Sequence, residues 1–173
     1  MHTQPNEIIT VRIVAGHRVA SGLNGNPRFP GGTLRMQFPH FLALGLDLRA
    51  FHLGTLNVSI APLRYRVGRA RHTFTRVKWH PTEPAEDFSF FDVTVIRPQE
   101  PPVTGLIYYP HPDTKPEHFQ ASDVLELLLP FMEGLHYGRE LSLKIPERQM
   151  TFEPTTVSPG NGKTLNLDCQ TFP

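Results

Sequence analysis

HLGTLNVSI, residues 52–60, alternates apolar and polar side chains in the way that a half-buried β-strand does. The apolar face of this strand carries Leu56, Val58 and Ile60. On the opposite face Thr55 and Asn57 are two residues apart, so their neutral oxygens leave the backbone about 7 Å from each other. Mg²⁺ binds such hard oxygens and needs few protein ligands when a nucleotide supplies the others, so the pair is a candidate metal site. The alternative is an ordinary strand with a solvent-exposed polar face.

Six further segments show the short pattern of a strand in this chain of 173 residues. They are residues 8–14, 63–71, 73–79, 88–96, 103–109 and 140–145. The 13 glycines and 18 prolines divide the chain into short elements, which favours strands and loops over helices. Regular helices between the strands, which a parallel βαβ fold requires, are missing. The sequence therefore predicts a mainly β fold, a small barrel with mixed connections.

One short and one longer helix are predicted to accompany the strands. The short helix covers residues 39–46, where Pro39 is allowed in the first turn. The longer helix begins at Ser122, which can cap it, and its apolar face lies within residues 124–132. Pro130 is expected to kink or end this helix, because proline has no backbone N–H to donate.

Two shorter features complete the predicted secondary structure. Residues 33–37 are predicted as a short strand. In the segment 88–96, the neighbouring aromatic residues Phe90 and Phe91 break the alternation, which indicates an irregularity such as a β-bulge.

The barrel is predicted to be a single domain over residues 8–146. From residue 147 the chain becomes polar and rich in turn-forming residues, so 147–173 is predicted as an extension that packs on the barrel or is partly disordered. Within that extension Leu165, Leu167 and Cys169 alternate, which indicates a last strand.

Charge and composition exclude several classes of function. The 17 basic and 16 acidic residues leave a net charge of +1 with no long basic run, so neither nucleic acid nor a membrane is expected as a partner. A single cysteine excludes an intrachain disulfide framework and is typical of a cytoplasmic protein. The N-terminus lacks the pattern of a signal peptide, and no apolar run approaches the roughly 20 residues that span a bilayer. The glycine-rich phosphate-binding motifs and the nucleophile elbow are also missing.

Three other groups of polar residues have competing interpretations. The four arginines between residues 64 and 71 could collect phosphates, although a solvated edge strand is favoured. Glu126 lies among the apolar residues of the predicted longer helix, either at its wet margin, which is favoured, or buried and paired with a donor on a ligand. His111, Asp113 and His118 are close in sequence but lack the spacing of a metal site.

Three segments carry a resemblance to a known family: GHRVASGLNG at residues 16–25, GTLNV at 54–58, and DVLELLLP at 123–130. In this order they resemble the first glycine loop, the Gly-Thr-Leu-Asn signature and the late proline-terminated helix of the CTP-dependent riboflavin kinases of archaeal type. The resemblance covers roughly residues 8–146 and implies a mainly β fold, a small six-stranded cradle-loop type barrel with one short and one longer helix.

The same resemblance implies a site and a reaction. Thr55 and Asn57 would bind Mg²⁺, and Glu126 would hydrogen-bond the polar edge of a flavin ring. His118 falls near the position of a family threonine that contacts the flavin. The γ-phosphoryl group of CTP, or of another nucleoside triphosphate, would pass to the ribityl 5′-hydroxyl of riboflavin or a similar alcohol, giving FMN and CDP from riboflavin and CTP. The residues of the implied nucleotide loop are Ser21, Gly22, Leu23, Asn24 and Gly25.

Departures from the family pattern leave three functions open. Asn24, Asn26 and Arg28 stand in a loop that is richer in glycine in the family. Residues 131–136 replace a basic segment that contacts nucleotide there, and Glu133 would bring a negative charge towards diphosphate oxygens. The first hypothesis is therefore a Mg²⁺-dependent phosphotransferase whose donor and acceptor the sequence does not specify. The second is a non-catalytic flavin- or nucleotide-binding module on the same barrel, and the third is a structural or partner-binding protein.

Overall fold

Nine β-strands and one α-helix form the part of the chain that the computed structural model describes, which is residues 5–17, 22–23, 25–115, 117 and 120–156. In chain order the elements are β1 (Asn6–Ile13), α1 (Thr33–Ala43), β2 (Leu56–Ser59), β3 (Leu63–Val67), β4 (His72–Val77), β5 (Glu86–Ile96), β6 (Val103–Pro110), β7 (Val124–Leu128), β8 (Glu140–Pro146) and β9 (Met150–Pro154). No described helix is long and apolar enough to cross a membrane.

Six of the strands close into an antiparallel barrel in the order β5-β6-β7-β2-β1-β8, with β8 pairing back to β5. The 11 residues of β5 make this closure possible, because β6 pairs along one edge while two strands share the other. On that shared edge β4 pairs with the first half of β5, and β8 pairs with residues Thr94–Ile96. The prediction of a mainly β fold with a six-stranded barrel is thus confirmed.

Two hydrophobic cores lie on opposite faces of the barrel wall. The first fills the barrel interior and includes the apolar face of β2, where Val58 and Ile60 are fully buried. The second lies between α1 and the outer face of β5 and β6. In this second core the Phe41 ring of α1 packs edge-on against Phe88 and Phe90, each with ring centroids 5.0 Å away. The middle of β5 contributes to both cores, with Phe88 and Phe90 on the outer face and Phe91 and Val93 on the inner face.

The irregularity predicted at Phe90 and Phe91 is wrong, because these two side chains face two different cores. Phe91 points into the barrel and Phe90 points under α1, while both keep a regular register with Ile107 and Tyr108 of β6. The shift of register lies instead in β4, between Phe74 and Val77.

The predicted longer helix is also wrong, because residues 124–128 form the strand β7. This strand pairs with β2 on one edge and with β6 on the other, so it is a central strand with both faces covered. Leu125 and Leu127 face the barrel interior, whereas Leu128 belongs to the core under α1. A short apolar run of this kind has no period that separates a buried strand from a buried helix.

The single described helix differs from the predicted one in its bounds. It begins at Thr33, so the strand predicted over residues 33–37 is wrong, and it ends at Ala43. Pro39 lies inside the helix and removes one backbone hydrogen bond. The helix forms in spite of this loss because Leu34, Gln37 and Phe41 bury one face against the barrel.

The chain after the barrel adds a two-stranded ribbon, in which β9 pairs with β3. Met150 at the start of β9 is fully buried in the barrel core. The arginines of this ribbon are paired rather than free, because Arg64 and Arg66 both contact the carboxylate of Glu153 at 2.9 and 3.0 Å. The strand predicted around residues 165–169 lies outside the described residues.

Candidate functional site

The pairing of β2 with β7 brings Asn57, and Thr55 directly before β2, to Glu126 on the outer face of the barrel. Asn57 and Glu126 are direct partners across the two strands. The Thr55 hydroxyl donates a hydrogen bond to Oε1 of Glu126 at 3.1 Å. Nε2 of Gln120 donates to Oδ1 of Asn57, also at 3.1 Å. The cluster therefore joins the segment 52–60 to residues more than 60 positions further along the chain.

Gly16 leaves room for the Asn57 side chain. A Cβ atom at Gly16 would lie 2.2 Å from Nδ2 of Asn57, closer than two such atoms can approach. The backbone is anchored at the same place, because the N–H of Val14 donates to the carbonyl oxygen of Asn57 at 2.9 Å. The glycine after β1 is thus required by the packing of the site rather than by a turn.

Glu126 is the least satisfied polar group of the cluster. It is only 8% exposed, and among the described residues its Oε2 atom has no hydrogen-bond partner. Burial raises the pKa of Glu126, whereas the positive charge of Lys115 and the side chains of Thr55 and Gln120 act in the opposite direction. A buried carboxylate oxygen without a partner destabilises the fold, and such groups are concentrated where proteins bind ligands.

Members of this cluster line two different cavities. The smaller, about 50 Å³, is lined by Glu126 and Lys115 and by the aromatic walls of Tyr65 and Tyr109. The larger, about 270 Å³, has Thr55 in its wall. The hydrogen bond between Thr55 and Glu126 therefore connects the lining of one cavity to the lining of the other.

The larger cavity is apolar and opens at one end of the barrel. Its floor includes Leu127, which belongs to the barrel core, and Leu56, which packs against that core. At its rim Leu23 and Phe131 are 75% and 76% exposed, and the ring of His52 lies 6.2 Å from that of Phe131. Among the described residues that line it there is no lysine or arginine.

The donor atoms of the cluster fit a hard cation. A hydroxyl, an amide oxygen and a carboxylate come from Thr55, Asn57 and Glu126, and the unpaired Oε2 atom lacks a positive partner. The part of the chain that the structure describes contains no group of three or more His, Cys, Asp or Glu residues that could hold a metal ion. An ion at this cluster would accordingly rely on neutral oxygens and on oxygens of a bound substrate.

The implied nucleotide loop is described only in part. Gly22 adopts a φ of 76° and packs on the turn before α1, where a Cβ atom would lie 2.5 Å from the backbone nitrogen of Gly32. The N–H of Gly25 closes the turn by donating to the carbonyl oxygen of Gly22 at 3.0 Å. Leu23 lines the larger cavity. The other site residues of the resemblance, Ser21, Asn24 and His118, lie outside the described residues.

Arg28, just after this loop, is paired with two carboxylates. Its guanidinium pairs with Glu83 at 3.1 Å and also with Glu117. The backbone of Arg28 is also bound by a buried side chain. His80 is 8% exposed, and its Nε2 atom contacts the carbonyl oxygen of Arg28 at 2.8 Å. Arg28 is therefore a structural residue of this surface.

Sequence reasoning missed four residues of the site: Gly16, Tyr65, Lys115 and Gln120. The sequence pattern indicates only a loop at Gly16, and the proline-rich segment that contains Lys115 carries no motif. The one available signal was the isolated Glu126 in an apolar run, since a buried acid requires donors from other parts of the chain.

No protein-family model, no curated protein and no solved structure matches this chain. The resemblance to riboflavin kinases therefore stays a prediction, and the case for a function depends on the residues of the cluster.

Proposed function

We propose that this protein is a Mg²⁺-dependent phosphotransferase of the riboflavin kinase type. It transfers the terminal phosphoryl group of a nucleoside triphosphate, CTP in the resemblance, to the hydroxyl of riboflavin or a similar alcohol. The observation that carries the proposal is the hydrogen bond between Thr55 and Glu126, which joins two cavities beside an unpaired carboxylate oxygen. A reaction between two substrates needs two adjoining sites with polar groups where they meet.

Each residue of the cluster has a role in this proposal. Thr55 and Asn57 hold the metal, which when bound neutralises phosphate charge and orients the donor. Gln120 fixes the Asn57 amide through its 3.1 Å hydrogen bond. Glu126 accepts hydrogen bonds from the polar edge of the acceptor, because its side chain lines the smaller cavity and one of its carboxylate oxygens has no described partner. With a volume of about 50 Å³, that cavity takes only the edge of a ring.

The test is a turnover assay with the full chain. The protein is incubated with riboflavin, Mg²⁺ and either CTP or ATP, and FMN is separated and quantified by fluorescence. Asn57→Ala removes a metal ligand and is expected to lower the rate by about 100-fold or more. Gly16→Ala displaces the Asn57 amide without touching its chemistry and is expected to have an intermediate effect.

Glu86→Gln is the matched control, because Glu86 is as buried as Asn57 but binds Trp79 and lines neither cavity. FMN formation that Asn57→Ala and EDTA abolish and Glu86→Gln leaves unchanged would support the proposal. The absence of FMN with both donors, in a protein that remains folded, would reject it. Unchanged turnover in Asn57→Ala would reject the metal site.

A second candidate is a non-catalytic module that binds a flavin or a nucleotide at the same cluster. The observation in its favour is the larger cavity, which has no described lysine or arginine to neutralise a triphosphate. Tight binding of riboflavin in a fluorescence titration, without turnover in any mixture of Mg²⁺ and nucleotide, would favour this candidate over the kinase.

A further inference from the structure

A third cavity, about 330 Å³, lies on the other side of residues 51–54, between α1 and the segment 48–53. The helix contributes Phe38 and Leu42, and the segment contributes Phe51 and Leu53. Leu42 and Leu53 remain 42% and 41% exposed. A groove of this size with apolar walls is typical of small-molecule sites, in which a few polar groups orient the ligand.

The groove exists because α1 has a second apolar face. Leu34, Gln37 and Phe41 cover the barrel, whereas residues 35, 38, 39 and 42 follow the helical spacing on the outward side. The outward side of a surface helix is normally polar. Here it carries Phe38, Pro39 and Leu42 and has a single charged residue, Arg35, at its N-terminal end.

Two arginines stand at the groove, but only one of them is available to a ligand. Arg49 is bound by both carboxylate oxygens of Asp47, at 2.9 and 2.7 Å. The hydrogen bonds from Arg49 lower the pKa of Asp47 to about 2, so the pair stays ionised at neutral pH. Arg35 is exposed, and no ion pair or hydrogen bond links its side chain to another described residue. The groove therefore combines an apolar floor with one unpaired positive charge.

From this combination we infer that the groove binds a small amphipathic carboxylate, with its chain on Phe38, Leu42 and Leu53 and its carboxylate on the Arg35 guanidinium. A guanidinium accepts a carboxylate in two parallel hydrogen bonds. A phosphate monoester would bring a second negative charge that the groove does not match. An extended peptide would need main-chain partners, and helix and loop side chains form these walls.

The inference does not depend on the proposed kinase activity, although the two sites share a wall. Leu53 faces the groove, whereas His52 and Gly54 line the larger cavity beside Thr55. Because the larger cavity is also apolar, an experiment must tell the two apart. Arg35 belongs to the groove alone, and Phe131 belongs to the larger cavity alone.

The experiment is calorimetric titration of the full chain with octanoate, without Mg²⁺ or nucleotide. Wild-type protein is expected to bind one octanoate with a dissociation constant of about 1 mM or below. Arg35→Gln should weaken binding by about tenfold, and octan-1-ol should bind the wild type more weakly by a similar factor. Arg66→Gln, which removes an exposed arginine of the β3–β9 ribbon, and Phe131→Ala should leave the affinity unchanged.

Four kinds of result would overturn the inference. Octanoate that fails to bind at about 10 mM would reject the ligand class. Equal affinity in wild type and Arg35→Gln, or equal affinity for octyltrimethylammonium, would reject the role of the charge. Loss of binding in Phe131→Ala but not in Leu42→Ser would place the ligand in the larger cavity. The protein could also dimerise through the groove. If Leu42→Ser abolished the dimer and octanoate did not compete with it, the groove would belong to a second copy of the chain.

Discussion

Two carboxylates are buried among the described residues, and they differ in how their oxygens are satisfied. Glu86 is 5% exposed and Glu126 is 8% exposed, and burial raises the pKa of both. Oε2 of Glu86 accepts a hydrogen bond of 2.6 Å from the Trp79 indole. Oε2 of Glu126 has no partner among the described residues and lies in a group that lines a cavity. Burial of an acid is therefore not enough to indicate a site, whereas an unpaired oxygen beside a cavity is.

The largest expected effect is the difference between Glu86 and Glu126 in their contribution to the free energy of unfolding. Glu86→Ala leaves the buried Trp79 N–H without an acceptor, so we expect a loss of about 3 kcal/mol in the free energy of unfolding. Glu126→Ala removes one hydrogen bond but also an unsatisfied buried oxygen, so we expect a loss below about 1 kcal/mol. Urea unfolding followed by circular dichroism measures both. An equal loss in the two variants would mean that Glu126 is a structural residue.

A smaller effect concerns the pH dependence of stability. Because the folded-state pKa of Glu126 is raised, this group favours folding most at pH values below its ordinary pKa of 4.5. That contribution is lost as the pH rises through the folded pKa. The glutamine of Glu126→Gln cannot titrate. The melting temperature of this variant minus that of the wild type should therefore rise by about 2–4 °C from pH 4.5 to pH 7.5. A difference between the two proteins that is constant with pH would show that Glu126 is not destabilised by ionisation.

The smallest effect comes from an exposed carboxylate, Glu153, whose pKa is lowered rather than raised. Hydrogen bonds from Arg66 are the largest of the effects that lower the pKa of Glu153. Its contribution is present above its ordinary pKa and is lost as the pH falls through the lowered value. Glu153→Gln should lower the melting temperature by less than about 2 °C at pH 7, because exposed ion pairs are weak. The difference should vanish near pH 3, and a larger loss at pH 7 would mean that the β3–β9 ribbon depends on this pair.

Much of the secondary structure could be predicted from local patterns. The alternation of Leu56, Val58 and Ile60 predicted β2, and these three residues belong to or pack against the barrel core. The alternation of Leu141, Leu143 and Ile145 likewise predicted β8, in which all three are buried. Side chains that alternate between core and solvent leave a period of two in the sequence, and this period is visible without any knowledge of the partner strands.

The patterns failed where both faces of an element are covered. Residues 124–128 were predicted as part of a helix and form a central strand, and Phe90 and Phe91 were predicted as an irregularity in a strand that is regular there. At each place a second core on the outer face of the barrel removes the polar half of the pattern. A doubly covered strand then has the same composition as a buried helix.

The sequence by itself determined that this chain forms a β-rich barrel and predicted that Thr55, which directly precedes β2, and Asn57 within it lie on the same side of the chain. Only the tertiary structure decided that Glu126 would stand opposite Asn57, with Thr55 bound to one carboxylate oxygen and the other left unpaired. The physical reason is the range of the interactions. The face of a strand depends on neighbours one or two residues away, whereas Thr55 and Glu126 are 71 residues apart and meet through the register of β2 and β7.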